Sequence, residues 1–409
     1  MGRREIALKY FDENQTFMNT TVQGNIERYR KGDAKFEIVD ENGAPVSNAK
    51  IIVKQKTHEF KYGANIFMLD ELETDEKNQA YKDAFKQIFN LATIPFYWSD
   101  LEPEQGKPRY EVDSPKIYRR PPTDLCVNYC LENGIEPKMH CLNYDNFRPD
   151  WLKDADVATH KKALDKRFRE LAQRYADIIP SWEVVNETLQ QNTGTVYTSK
   201  FFKEDDFVEW SFKTADRYFP NNHLIINDFE LFDRWYRGNR STYYLLIERL
   251  IRNGVSNLHC IGTQYHCFFS REDEEKCAMY YYNPMHIYEV FDLYARFGKP
   301  LQITEITIPA YSSDEEDEEV QAELIEKLYT VFFSHPAMEA AIYWNLVDGY
   351  AAFAPQGDMT AGENRYYGGL MNFDLTKKKY EEYAELNDYP STSQRVYDLN
   401  IGYTVYDMP

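Results

Sequence analysis

The chain has 409 residues, 43% of them apolar, with 18 glycines and 18 prolines. That describes a folded globular chain, too long for one average domain but within reach of a single α/β barrel with additions, and it excludes a disulfide-stapled mini-protein. Its 47 basic and 67 acidic side chains leave a net charge of −20, which argues against nucleic acid as a partner, and no apolar run approaches the roughly 18 residues of a membrane span.

The N-terminus, Met1 to Ile6, has no apolar core of a signal peptide. The chain is therefore read as cytoplasmic, or as secreted with its signal peptide removed. Residues 1–59 form an extension. Within it, Ala34–Lys56 alternates Phe36, Ile38, Val46, Ile51 and Val53 around the turn Asp40-Glu41-Asn42-Gly43, which predicts a β-hairpin packed on the main domain. From residue 60 to 387, short apolar segments alternate with amphipathic ones, the signature of repeated βα units. Eight strands are expected: Lys61–Phe67, Phe89–Thr93, Glu136–Leu142, Ser181–Asn186, His223–Asn227, Cys260–Tyr265, Leu301–Glu305 and Ala341–Trp344. The clearest helices are Val157–Tyr175, Thr242–Asn253 and Glu315–Phe333, with Gly134 and Gly254 as helix ends. The fold class is therefore α/β, a (β/α)8 barrel with an N-terminal hairpin and a short tail, residues 388–409. In that tail, the strand-like Val396-Tyr397 and Tyr403–Tyr406 offer a partner for the hairpin.

Two local features have simple readings. The six cysteines, Cys126, Cys130, Cys141, Cys260, Cys267 and Cys277, form no CxxC pair and read as free thiols rather than metal ligands. The acidic run Asp314–Glu319 reads as a solvated helix start, with Ser313 and Glu316 in capping-box spacing.

In a (β/α)8 barrel the chemistry sits at the C-terminal ends of the strands. The fourth strand runs into Asn186-Glu187 and the seventh ends at Thr304-Glu305, on opposite sides of the barrel mouth. Two carboxylates facing across a cleft are what glycoside hydrolysis needs: one donates a proton to the leaving oxygen, and the other meets the oxocarbenium-like centre. Around them, the sixth strand supplies Gln264, Tyr265 and His266, and the eighth supplies Trp344 as a stacking face. The 33 Tyr, 25 Phe and 6 Trp fit either an aromatic core or further stacking on sugars.

In these motifs the chain resembles glycoside hydrolase family 10, the retaining endo-β-1,4-xylanases. Matching segments are Phe89-Asn90 to Trp98 with Glu102-Pro103-x-x-Gly106; His140-x-Leu142 with Pro149-Asp150-Trp151; Trp182–Glu187; Ile226-Asn227-Asp228; Gly262-x-Gln264-x-His266; Thr304-Glu305; and Trp344-x-x-x-Asp348. They occur in family order. The resemblance implies a (β/α)8 fold, Glu187 as general acid/base with a raised pKa, and Glu305 as nucleophile. It implies Asn186 on the 2-hydroxyl of the reacting sugar, Gln264 and His266 holding that sugar and the nucleophile, and Trp344 beneath it. His140, Asp145, Trp98 and Tyr265 complete the expected substrate-binding set. No cofactor or metal is implied; the partner is a polysaccharide or oligosaccharide, and the chain is expected to be a monomer.

The departures lie on the glycone side. Where the family shows Glu-Asn-x-x-Lys-Trp after strand two, this chain has Thr93-Ile94-Pro95-Phe96-Tyr97-Trp98. Tyr144-Asp145 replaces Trp-His after strand three, putting an acidic acceptor near the reacting sugar, and Ala351-Ala352-Phe353 replaces a second tryptophan. Two further readings follow: an exo-acting or non-xylan glycosidase with the same mechanism, or a carbohydrate-binding barrel without turnover. Arg119, Arg120 and Arg148, around strand three, are read as partners of the chain's own carboxylates rather than of a glucuronate branch.

Overall fold

Eight parallel strands close into a barrel in strict sequence order: β1 (Lys61–Asn65), β2 (Leu91–Pro95), β3 (Glu136–His140), β4 (Ser181–Asn186), β5 (His223–Asp228), β6 (Leu258–His266), β7 (Leu301–Thr307) and β8 (Met338–Tyr343). The computed structural model describes residues 2–32, 37–47, 51–54, 57–189, 199–229, 231–233, 236–378 and 396–399. β1 pairs with both β2 and β8, so the sheet has no free edge. All eight expected strands are present, with ends moved by a few residues. Phe89 caps the preceding helix, Asp75–Ile88, its N–H bonded to Phe85 O at 2.9 Å, so β2 starts later.

The helices follow the apolar periodicity. Val157–Tyr175 begins at Asp156, whose carboxylate accepts the N–H of Thr159 at 2.8 Å, and it buries Leu164, Phe168 and Leu171. Thr242–Arg252 and Glu315–Ser334 lie where expected. Gly134 and Gly254 take positive φ, 68° and 81°, at the turns into the next strands. All six cysteines are free.

Two features depart from expectation. The cap of Glu315–Ser334 is Asp314, without a side-chain bond; Ser312 instead donates to Asp317 at 2.6 Å. Asp317 and Glu318 are buried rather than solvated, because the N-terminal segment covers them. That segment is helical: Arg3–Glu13 buries Ala7, Leu8 and Phe11 and packs on Glu274–Tyr281 and Glu315–Ser334. Arg3, itself buried, donates to Glu274 Oε2 at 3.1 Å, to Asp317 Oδ1 at 3.3 Å and to the carbonyls of Pro309, Ala310 and Asp317. Arg30 then caps the far end of the same barrel helix through Phe333 O and His335 O, both at 2.6 Å.

Of the expected hairpin, the turn is present: Val39 and Pro45 bridge antiparallel, and Asp40 Oδ1 accepts the N–H groups of Asn42 and Ala44. Residues 33–36 and 48–50 lie outside the described residues. Ile51–Lys54 pairs antiparallel with Val396–Leu399, the pairing of extension and tail anticipated for Val396-Tyr397; Tyr403–Tyr406 lies outside the described residues. Among the described residues no helix is long and apolar enough to cross a membrane.

Candidate active site

Irregular pairing at the strand ends aims the key side chains. Gln264 of β6 faces Glu305 while Thr263 faces Ile303, so Thr304 is an extra residue in β7. Such a bulge breaks the alternation of faces. Thr304 and Glu305 consequently reach the same neighbour: Thr304 Oγ1 donates to Asn227 Oδ1 at 2.5 Å, and Asn227 Nδ2 donates to Glu305 Oε1 at 2.9 Å. A second shift, between Glu183 and Val185, precedes Asn186. Glu187, just beyond β4, has φ +52°, a conformation uncommon for a residue with a Cβ. The backbone after it is pinned by buried Asp228, whose Oδ2 accepts Thr188 N at 2.7 Å, Thr188 Oγ1 at 2.6 Å and Leu189 N at 3.1 Å. Burial pushes the Asp228 carboxyl up to about 8.

The two glutamates are joined by one hydrogen-bonded chain. Gln264 Nε2 donates to Glu187 Oε1 at 3.1 Å and to Asn186 Oδ1 at 3.4 Å, and Asn227 Nδ2 bridges Asn186 Oδ1, at 2.8 Å, to Glu305. Tyr144 donates its hydroxyl to Glu187 Oε2 at 2.5 Å. His266 Nε2 lies 3.1 Å from Glu305 Oε2 and its Nδ1 lies 2.9 Å from Thr307 Oγ1. Burial pushes the imidazole down to about 4, so the ring is neutral at pH 7. Its partners fix the tautomer: Nε2–H donates to Glu305, and Nδ1 accepts from the threonine.

Beneath Glu305 lies a buried triad. Lys138 Nζ donates to Glu183 Oε1, and His140 Nδ1 lies 2.5 Å from Glu183 Oε2. Burial alone would raise the Glu183 carboxyl, but Lys138 and His140 outweigh it and hold it at about 2. His140 Nε2 meets Tyr97 Oη at 3.1 Å. His140, Glu183 and Glu305 bring three potential ligand atoms within 4.8 Å. Lys138 already supplies the positive charge there, and both Glu305 oxygens are engaged by N–H donors.

The Glu305 carboxyl, 4% exposed, is pushed up to about 8 by burial and by the negative charges of Glu183 and Glu187, against the opposing pull of His140 and Lys138.

A cleft of about 1810 Å³ opens over these groups. Asn186, Glu187, Gln264, His266, Glu305, His140 and Trp344 all line it. Trp344 stands edge-on to Phe67, His140 and His266, with ring centroids 5.3, 5.4 and 6.1 Å away. Three expected binding residues do not line it. Asp145 turns away to an ion pair with Arg148 at 2.5 Å and to Ser199 N at 3.4 Å, leaving Tyr144 at the mouth. Trp98 donates to Glu102 at 2.9 Å and packs against Trp151. Tyr265 is fully buried outside the barrel wall, donating to Tyr281 O and packing on Phe232. Alternation along β6 sends Tyr265 outward between Gln264 and His266.

Sequence reasoning gave no role to Asn227 or Glu183, though both lie in the matching segments, nor to Lys138 or Tyr144. Asn227 met the rule that found the glutamates, a polar residue closing an apolar strand; nothing local marked the others.

A (β/α)8 barrel whose mouth holds two glutamates on one hydrogen-bonded network, beside amide donors and a tryptophan face, has the architecture of a barrel glycoside hydrolase. Residues 54–360 match the family described as Glycosyl hydrolase family 10, and the chain belongs to that family. It is 23% identical over 368 residues to the anti-sigma-I factor RsgI6 of Acetivibrio thermocellus, covering 87% of this chain and 42% of the relative. It is 23% identical over 304 residues to a β-1,4-xylanase of Dictyoglomus thermophilum, covering 68% and 82%. The chain thus spans less than half the length of the first of these relatives. The fold matches that of xylanase 10B from Thermotoga petrophila RKU-1, solved with xylobiose, at a TM-score of 0.63 and 20% identity over 80% of this chain and 93% of that one.

Proposed function

We propose that the chain is a retaining β-glycanase that cleaves β-1,4-linked xylan internally, with Glu187 as general acid/base and Glu305 as nucleophile. The observation that carries this reading is the continuous network from Tyr144 and Gln264 through Glu187, Asn186 and Asn227 to Glu305, inside a family 10 barrel.

Burial keeps a proton on the pair well above the ordinary carboxylate range, so the pair enters the reaction with one proton and one charge. The productive arrangement puts the proton on Glu187 at the rim and the charge on Glu305, where the N–H groups of Asn227 and His266 stabilise it. Glu305 attacks the anomeric carbon while Glu187 gives its proton to the departing glycosidic oxygen, leaving a glycosyl ester. Glu187, now a carboxylate, takes a proton from water as that water attacks the same carbon and releases Glu305. Asn186 and Gln264 offer amides to the sugar's hydroxyls, and Trp344 offers its face.

A digest panel tests the reading: linear xylan, arabinoxylan, glucuronoxylan, mixed-linkage glucan and aryl glycosides, with Glu187→Ala and Glu305→Ala as controls. Oligosaccharides released early from xylan, and lost in both variants, are expected. No hydrolysis of any substrate by the pure protein would overturn it. A second reading, terminal cleavage or a different sugar, rests on the apolar cluster of Phe67, Tyr97 and Trp344 in the cleft; it predicts monosaccharides as the first products, or a preference for another glycoside.

A further inference from the structure

One arc of the cleft carries polar groups that the double displacement leaves unused. In the closed barrel β8, β1 and β2 are neighbours, across from β4, β5 and β6. The loop after β2 contributes Arg119 and the loop after β8 contributes Glu363, and both line the cleft. Arg119 is 5% exposed and sits at φ +62°, a conformation that persists in a bulky residue only where its surroundings hold it. It donates to Asn345 Oδ1 at 3.1 Å, and its guanidinium carbon lies 5.7 Å from the centre of the Phe67 ring. Among the described residues, no carboxylate reaches ion-pair distance of it.

The carboxylate whose charge acts on Arg119 is Glu363. Its Oε2 is buried and, among the described residues, has no hydrogen-bond partner. A desolvated cation and a desolvated carboxylate oxygen are each unfavourable alone. Contact would relieve both, yet no ion pair joins them, and both line the cleft. What satisfies both ends is a molecule offering an acceptor to Arg119 and a donor to Glu363 on adjacent atoms. Two neighbouring hydroxyls of a neutral sugar do so; a uronate would satisfy the arginine and be repelled by the glutamate.

We propose that Arg119 and Glu363 clamp two vicinal hydroxyls of the sugar that precedes the one held at Glu305, on the side away from the leaving group. This rests on the hydrolase reading above, which makes Glu187 of the β4 end the proton donor. The departing part of the chain then runs out over β4–β6, and the part that stays on Glu305 extends over β8–β2. Glu363 is also within electrostatic reach of His266, which holds Glu305, so the clamp adjoins the reacting sugar.

The test compares aryl β-xylobioside with aryl β-xyloside as substrates of the full chain, for wild type, Glu363→Gln and Arg119→Ala. The readout is the ratio of kcat/KM on the two-sugar substrate to that on the one-sugar substrate. In either variant that ratio is expected to fall about 10- to 100-fold, the range of a hydrogen bond to a charged group. A ratio within about twofold of wild type in Glu363→Gln overturns the clamp. Glu363→Gln keeps the side chain's shape, so it decides the matter even where Arg119→Ala does not fold. If wild type cleaves neither glycoside, nor any substrate of the panel above, the hydrolase reading fails on its own. Calorimetry with xylobiose then judges the clamp, and an unchanged Kd in Glu363→Gln overturns it.

Discussion

Replacing Glu305 with glutamine is expected to abolish turnover and, unlike most buried substitutions, to stabilise the fold. The carboxyl is 4% exposed and its pKa is pushed up to about 8 by burial and by Glu183 and Glu187. An ordinary glutamate titrates near about 4.3, and each tenfold change in proton affinity is worth about 1.4 kcal/mol. Between those pH values the folded chain holds a proton that the unfolded chain has released, so stability falls as pH rises. The contribution is fully present below about pH 4.3 and gone above about pH 8, a loss of order 5 kcal/mol. Glutamine does not titrate and escapes that loss. It must still fit its amide between two donors; His266 can accept it by switching tautomer, with Nδ1–H turned to Thr307. An unfolding entropy of about 2.1 cal/mol/K per residue converts 5 kcal/mol into about 6 °C for a chain of this length. Thermal melts of both proteins from pH 4.5 to 8.5 are therefore expected to nearly coincide at the acid end and to separate by about 2–6 °C at the alkaline end, the variant higher. A difference that stays flat with pH, or a variant that melts lower at pH 8.5, would refute the assignment of a raised, desolvated carboxyl to Glu305.

Two further outcomes follow from the geometry. Glu187→Ala is expected to lower kcat/KM on xylan by about 10²- to 10⁴-fold, the usual yield of general acid catalysis. It should largely spare a dinitrophenyl glycoside, whose leaving group needs no proton, so equal losses on both substrates would deny Glu187 the donor role. Arg3→Met removes one member of a buried ion cluster, taking the ion-pair partner of Glu274 and leaving Asp317 with Arg271 alone. It is expected to destabilise by about 3–5 kcal/mol, read from the denaturant midpoint; an unchanged midpoint would mean that the N-terminal helix does not unfold with the barrel.

The barrel was legible because its strands are short apolar runs closed by helix caps. Those signals are local, and they survive at Gly134 and Gly254. The N-terminal helix was not. Its apolar stripe, Ala7, Leu8 and Phe11, is narrow and surrounded by charge. Its anchor is Arg3, a residue that reads as surface until Glu274 and Asp317, some 271 and 314 positions away, are brought beside it. The acidic run at Asp314–Glu319 misled for the same reason: half of what neutralises Asp317 lies in that distant helix.

At the site, sequence order gave the right strand ends but not always the right faces. Gln264 and His266 point inward with Tyr265 between them, as simple alternation requires, so Tyr265 could never have reached a substrate. At Thr304-Glu305 alternation fails, because the bulge turns both residues towards Asn227. At Tyr144-Asp145 the acidic residue was the natural candidate beside a sugar, yet Arg148, three residues on, draws it away and leaves the phenol on Glu187. A cation also stands beside the position where the family's glycone lysine is missing. Tyr97 occupies the aligned position, and Arg120, 23 residues later in the chain, lays its guanidinium 4.2 Å from the centre of that ring, braced by Asp100 at 2.8 Å. Arg120 thus supplies a cation to the lining of the cleft beside Tyr97. The stronger ground against a barrel without turnover is Glu305 itself: a protein that only bound sugars would have no need to hold that carboxyl between two N–H donors.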